Sequence, residues 1–302
     1  MIPLIDAIRP TTIIESAKLR EYFGIDLTIA SETFQHTGSF KFRAAYNLAS
    51  SVTNDTIITA SSGNFGQALA YACKLLGKKA VIVMPDTSAQ VKIDAIKAFG
   101  AKLVLIDTNK IARNEKVEQL AADMPSAYKA SAYDDQFVID GNATLGKELA
   151  LHNFDSVVVP VGGGGLISGV VNGLRQSGSS TEVIAAEPLL ANDGARSFRE
   201  GRIIPNETEP KTIADGARTI SLGTLNFPII HEQVLDFIEV SDEKIIEALN
   251  LYFIHANLKV EPTGALSLGA ILENKDRFIG KKVCVIVSGG NVDPAVYAKL
   301  LG

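Results

Sequence analysis

The chain alternates between short, almost wholly apolar runs rich in β-branched residues and longer segments whose apolar positions recur every three or four residues. Leu27–Ala30, Thr56–Ala60, Ala80–Met84, Lys102–Ile106, Ser156–Val161, Val183–Ala186 and Val283–Val287 are the predicted strands. A strand apolar on both sides must be covered on both faces, so the pattern predicts parallel sheets between helices, an α/β fold. Between Gly63 and Gly77, the residues Phe65, Leu69, Ala72, Cys73 and Leu76 recur at helical spacing, and Gly77 supplies a stop before KKAVIVMP. Strand, turn, helix, strand is the local plan. Residues 52–134 share this texture and are expected to form a small inserted α/β domain, with 1–51 and 135–302 making a larger body.

Length agrees: 302 residues at roughly 150 per domain suggest two domains. The chain is 46% hydrophobic and 21% charged without biased tracts, as in a soluble globular protein rather than a disordered one. A net charge of −5 and the lack of a basic run argue against a nucleic-acid partner held through phosphates. The apolar stretch Val157–Val171 is broken by Pro160, four glycines and Ser168, short of the ~18 continuous residues of a membrane span. No membrane association is expected. The start MIPLIDAIRP places Asp6 where an export peptide would be basic and then apolar, so a cytoplasmic location is expected. Cys73 and Cys284 lack a CxxC partner and sit in apolar segments, reading as reduced core cysteines.

Four segments carry candidate chemistry. In SETFQHTGSFKFRAAYNLA, Ser39 is placed to cap a helix with Lys41 in its first turn. A helix N-terminus and flanking Phe40 and Phe42 both disfavour an ammonium, and a neutral lysine can form a Schiff base with an aldehyde. Taken alone, Lys41 reads as a surface lysine. In TIITASSGNFGQALAYACKLLG, a strand enters the turn Ser61-Ser62-Gly63-Asn64-Phe65-Gly66, which opens into a helix. Its free N–H groups, hydroxyls and amide suit an anion such as a carboxylate, ordinary capping being the alternative. In FDSVVVPVGGGGLISGVVNGLRQ, Gly162 to Gly165 lie between a strand and a helix, and backbone without Cβ atoms can wrap a phosphate. This is neither GxGxxG nor GxxxxGK[ST], so dinucleotide and nucleoside-triphosphate loops are disfavoured. KKVCVIVSGGNVDPAVYAKLL leaves Ser288 at a strand's carboxyl end, where open sheets bind ligands, or as a turn-capping serine.

Together TGSFK, SSGNxG, GGGGL, ADG, EPTG and SGGN, in this order from about Ile8 to Asp293, resemble the fold-type II pyridoxal-phosphate enzymes, specifically the serine/threonine dehydratase and serine racemase branch. The resemblance implies two interleaved three-layer α/β domains with mostly parallel sheets, as in the tryptophan synthase β chain. It implies Lys41 as the Schiff-base lysine of pyridoxal 5'-phosphate and as catalytic base. Gly162, Gly163, Gly164, Gly165 and the Leu166 N–H would hold the phosphate, Asn64 the pyridine hydroxyl and Ser288 the pyridine nitrogen. Gly216 and Glu261 would line the ring. The substrate carboxylate would sit on the SSGN turn, against Ser61, Ser62, Gly63, Asn64 and Phe65. A neutral serine at the ring nitrogen makes the cofactor a poorer electron sink, which suits β-elimination. The implied reaction turns L-serine, L-threonine or a 3-substituted serine into a 2-oxo acid and ammonia. Ser62 matches the second acid/base of serine racemases, so racemisation is the alternative; a sulfide-using β-replacement synthase comes third. A non-catalytic sensor of the same fold is the reading from another class, opposed by the intact Lys41.

In AAEPLLANDGARS, Glu187, Asp193 and the Ala191 carbonyl match the branch's divalent-cation site, a donor set suited to Mg²⁺ or Ca²⁺, with two solvated acids as the alternative. Phe65 stands where many members have histidine, and IDGNATLG replaces the usual IAGQGT, introducing Asp140 and Asn142. Arg113, or alternatively Arg218, matches a substrate-recognising arginine. These departures bear on the substrate side chain. The resemblance also implies a homodimer acting on a small amino acid.

Overall fold

The computed structural model of the protein describes residues 2–302 apart from 62 and 89. In chain order its strands are β1 (Thr12–Ile14), β2 (Asp26–Ser31), β3 (Thr56–Ala60), β4 (Lys79–Pro85), β5 (Lys102–Ile106), β6 (Tyr128–Lys129), β7 (Ser156–Pro160), β8 (Glu182–Pro188), β9 (Asp236–Val240) and β10 (Lys282–Val287). They form a six-stranded sheet, ordered β1-β2-β10-β7-β8-β9, and a four-stranded sheet, ordered β5-β4-β3-β6. All neighbours are parallel except the antiparallel pair β1 and β2. The expected α/β architecture with mostly parallel sheets is what the chain adopts.

The unbroken apolar runs follow from this layering. Along β10, Val283, Val285 and Val287 enter one core and Cys284 and Ile286 the opposite one, so neither side of the strand meets water. The strand prediction omitted β1, β6 and β9. The first two have three and two residues, too few for a periodic signal. In β9, an edge strand, Asp236 and Glu239 interrupt the apolar run. The helix predicted between Gly63 and Gly77 spans Asn64–Leu76 and ends at Gly77 in the left-handed region, at φ +68°. Both cysteines are buried and unpaired, and among the described residues no helix is long and apolar enough to cross a membrane.

Ser39 does not cap the lysine helix. Its backbone is extended and forms an antiparallel bridge to Gly289; among the described residues its hydroxyl is buried without a partner and the helix Lys41–Ser51 starts without a side-chain cap. The Phe40 N–H donates to the Ser288 carbonyl at 3.0 Å. Pairing with the segment after β10 thus overrides local capping, and it brings Lys41 beside Ser288.

The same helix is anchored by Arg43, which is fully buried. Its guanidinium donates to both Glu32 oxygens at 2.8 and 2.9 Å, to Glu148 at 2.6 Å and to the Arg9 carbonyl at 3.2 Å. Burial disfavours the cation, but the two carboxylates outweigh it and push the pKa up. Removing Arg43 alone would strand the buried Glu32 charge, at a cost of about 3–5 kcal/mol.

Candidate active site

The segments singled out in the sequence converge at the carboxyl ends of β2, β3, β7 and β10. Lys41 lies in the first turn of its helix, partly buried, with Nζ 4.9 Å from the Phe40 ring centroid and 5.7 Å from that of Phe65. Nζ donates to the Ala132 carbonyl at 2.7 Å. Burial pulls the ammonium down to about 8, against an opposing pull from the Glu261 carboxylate. The lowered pKa enlarges the neutral fraction that a nucleophilic or basic lysine uses.

Gly162 to Gly165 follow β7 and lead into the helix Gly165–Gln176, with Gly164 left-handed at φ +93°. A Cβ on Gly163 would lie 2.2 Å from the Tyr133 ring, and one on Gly165 2.8 Å from the Tyr133 carbonyl. Only glycine fits, and the free N–H groups opening this helix make an anion cradle. Leu166, buried, sits in its first turn.

Asn64 opens the helix after β3 and lies between two partners. Its Nδ2 donates to both Glu261 oxygens, and its Oδ1 accepts from Asn291 Nδ2 at 2.8 Å. Glu261 also accepts from the Asn291 N–H at 3.2 Å. The Ser288 hydroxyl, 2% exposed, has no hydrogen-bond partner among the described residues, and so can engage a ring nitrogen. Gly216 N–H donates to Thr263 Oγ1 at 2.9 Å, and the Gly216 carbonyl would lie 3.1 Å from a Cβ on Gly162. An anion cradle, an amide, a spare buried hydroxyl and a desolvated lysine are groups that suit pyridoxal phosphate. Residues 4–289 match the family described as pyridoxal-phosphate dependent enzyme.

The chain belongs to that family. A serine racemase of Schizosaccharomyces pombe is 38% identical over 297 residues, 96% of this chain and 91% of that protein. An L-threo-3-hydroxyaspartate ammonia-lyase of Saccharomyces cerevisiae is 38% identical over 300 residues, 97% of this chain and 91% of that protein. The crystal structure of a threonine deaminase from T.th. superimposes with a TM-score of 0.90 at 36% identity, covering 96% of this chain and 95% of that one. Within the convergent site Lys41 offers an amine, placed beside Phe40, Phe65 and the Ala132 carbonyl.

Among the remaining expected residues, Ser61 Oγ accepts from the Gly63 and Gly66 N–H groups at 3.4 and 3.0 Å, holding the turn that presents Asn64. Ser62 lies outside the described residues. Phe65 is buried beside Lys41. Arg113, at the start of the helix Arg113–Asp123, pairs with Glu209 at 3.6 Å, both exposed to solvent. Arg218 folds back on the Thr212 carbonyl, with Nε at 2.7 Å. Asp140 is exposed and accepts from Gln136, and Asn142, fully buried, donates to the Gly165 carbonyl at 2.9 Å. The IDGNAT departure therefore faces solvent and the back of the glycine loop.

Glu187 ends β8 and accepts from the Gly194 and Ala195 N–H groups at 2.9 and 2.8 Å. Burial, and next the Asp193 charge, raise its pKa well above the usual value despite those N–H groups. Asp193 is lifted by burial to about 7; its Oδ1 accepts from Asn206, and its Oδ2 is buried without a partner among the described residues. Ala191, also buried, lies between them. Two buried acids with an unused oxygen fit a hard cation better than they fit two solvated carboxylates.

The sequence reading missed Asn291, Thr263, Tyr133, Asp134 and Asn226. Asn291 was within reach as the final residue of SGGN. Tyr133 and Asp134 precede the helix Gln136–Leu149 without periodicity, and act on residues far along the chain, such as Gly163 and Leu225.

Proposed function

We propose that the chain catalyses β-elimination of a 3-hydroxy amino acid to a 2-oxo acid and ammonia. The observation that carries the reading is the neutral, unpartnered Ser288 hydroxyl, buried two residues from the Gly290 that pairs back to Gly38. When bound, pyridoxal phosphate supplies an aldehyde that captures the substrate amine and an electron-withdrawing ring that acidifies its α-carbon. The Ser288 hydroxyl would meet the ring nitrogen as a neutral partner, a setting that would suit loss of a β-hydroxyl.

In this reading Gly162, Gly163, Gly164, Gly165 and the Leu166 N–H hold the phosphate. Asn64 orients the ring hydroxyl, with Gly216 and Glu261 alongside. The turn from Ser61 to Phe65, with Ser62, takes the substrate carboxylate, and Arg113 takes part in substrate recognition. Lys41 Nζ removes the proton from the α-carbon, the β-hydroxyl leaves with a proton as water, and the resulting enamine tautomerises and hydrolyses. Glu187, Asp193 and the Ala191 carbonyl hold Mg²⁺ or Ca²⁺. Two domains, 1–51 with 135–302 and 52–134, a homodimer and a cytoplasmic location complete the proposal.

Relatives named for hydroxyaspartate ammonia-lyase activity support elimination. Those named serine racemase, together with Ser62, favour racemisation as a second activity. The test is the holoenzyme offered L- and D-serine, L-threonine, 3-hydroxyaspartate and 3-phenylserine, with 2-oxo acid and enantiomer measured together. Formation of 2-oxo acid is expected. Enantiomer exchange without any 2-oxo acid would replace elimination by racemisation.

A further inference from the structure

We infer that Asp134 is a positioning residue that aims the anion cradle by holding the glycine loop from behind, a role that rests on reading Gly162–Leu166 as the phosphate site. The chain of contacts begins at the Gly163 carbonyl, which accepts from the Gly223 N–H at 3.0 Å and from Asn226 Nδ2 at 2.9 Å. No cis peptide bond occurs among the described residues. In a trans peptide the carbonyl and the following N–H point in opposite directions. Pinning the Gly163 carbonyl to residues 223–226 therefore turns the Gly164 N–H away from them. The bond from Asn142 to the Gly165 carbonyl does the same for the Leu166 N–H. Both N–H groups belong to the unsatisfied set at a helix start.

The 223–226 turn is in its own right held from across the chain. Asp134 Oδ1 accepts from the Leu225 N–H at 2.8 Å, and Oδ2 from the Thr224 N–H and hydroxyl at 3.0 and 2.9 Å. The helix Asn226–Gln233 has no side-chain cap of its own, so Asp134 supplies one from 90 positions away. A Cβ on Gly223 would lie 2.5 Å from both Asp134 Oδ1 and Asn226 Nδ2, so the contact closes without spare room. Asn226 Nδ2 also donates to the Tyr133 carbonyl at 3.0 Å, and the Tyr133 ring covers Gly163. Residues 133–134 and 223–226 thus form one frame around the loop. Ala132, next in the segment, accepts from Lys41 Nζ through its backbone carbonyl, a bond in which the Asp134 carboxylate has no part.

A merely structural role would weaken binding of every ligand alike, whereas an aiming role acts on the phosphate alone. The experiment strips the holoenzyme of cofactor and titrates wild type, Asp134→Asn and Asp134→Ala with pyridoxal 5'-phosphate and with pyridoxal, which lacks the phosphate. Thermal unfolding is followed in parallel. Wild type is expected to prefer the phosphorylated form strongly. Asp134→Ala should lose roughly 10–100-fold in affinity for it with pyridoxal binding unchanged, since misplacing preorganised donors is costly. Asp134→Asn, nearly isosteric and retaining one acceptor oxygen, should lose less, and it decides the matter if the alanine variant does not fold. Equal losses for both ligands, or an unchanged preference in the variants, would overturn the role of Asp134 while leaving the phosphate reading intact. A wild type without preference would overturn both.

Discussion

The Asn64 side-chain amide faces the Glu261 carboxylate, with Nδ2 2.9 and 3.0 Å from its two oxygens, across 197 positions of sequence. The contact ties the turn after β3 to the start of the helix Pro262–Glu273. It also fixes a negative charge where Lys41 senses it. Burial drives the lysine toward the free amine and Glu261 holds it back, leaving the pKa at about 8.

That balance predicts a pH dependence for cofactor capture. Only the neutral amine attacks an aldehyde, so the rate at which cofactor-free protein takes up pyridoxal phosphate should rise with pH and level off above about 8. In Glu261→Gln the opposing charge is gone, the lysine pKa falls further, and the inflection moves to lower pH. Stopped-flow absorbance from mildly acidic to strongly alkaline buffer reads both; an inflection moving upward would contradict this electrostatic account.

Lys41→Ala should abolish turnover by a factor of more than ~10³, because nucleophile and base are lost together. The absorbance of covalently held cofactor should vanish with it. Circular dichroism should stay native, since Lys41 is only partly buried and its charge-assisted bond goes to a carbonyl. Retained turnover with native absorbance would dismiss Lys41 as the reacting amine.

Much of this was legible because its signals are local. Strands buried on both faces announce themselves as unbroken apolar runs, and a tetraglycine can be read before anything else is known. What stayed hidden is the set of contacts made across the fold. Ser39 looked like a cap because S-F-K opens a helix, but its bridge runs to Gly289, near the other end of the chain, and leaves no local trace. Asn142 looked like a substrate-side departure, and only its bond to the Gly165 carbonyl reveals that it serves the loop. Arg218 was a candidate substrate contact by position, and its fold onto Thr212 depends on loop geometry that no motif encodes.

Ser288→Asp should change the outcome of the reaction more than the binding of the cofactor. A carboxylate would keep the ring nitrogen protonated and let the electron pair persist on the ring. Elimination is expected to slow by about tenfold, some 1.4 kcal/mol of barrier. The ratio of racemisation or α-proton exchange to 2-oxo acid should rise. Proton exchange followed by NMR in deuterated water, alongside 2-oxo acid release, measures the ratio, and an unchanged ratio would detach the ring-nitrogen role from Ser288.

Removing divalent cations should lower thermal stability if Glu187 and Asp193 share one. A ligand that binds only the folded state stabilises by about 2.7 kcal/mol at a hundred times its Kd. The melting temperature of chelated protein should therefore climb with added Mg²⁺ or Ca²⁺, and the climb should vanish in Asp193→Asn. Asp193 supplies the buried oxygen without a partner. A melting temperature indifferent to both chelator and cation would return the two acids to a purely structural role.

The proposed role of Arg113 in substrate recognition puts the substrate in competition with Glu209. The Arg113–Glu209 ion pair, 3.6 Å long with side-chain exposures of 39% and 59%, is of the surface kind, and such pairs are worth about 0–1 kcal/mol. A carboxylate arriving on a substrate can displace Glu209 at little expense. Arg113→Ala should thus raise KM, with kcat nearly constant, because it removes binding felt equally before and during the reaction. Glu209→Gln should do the reverse and lower KM by up to about fivefold, the factor that ~1 kcal/mol allows. The effect should be larger for 3-hydroxyaspartate, with its second carboxylate, than for serine. Steady-state kinetics of both variants on both substrates decide it: a KM indifferent to Glu209, together with a fall in kcat for Arg113→Ala, would place the arginine in the chemistry instead of in recognition.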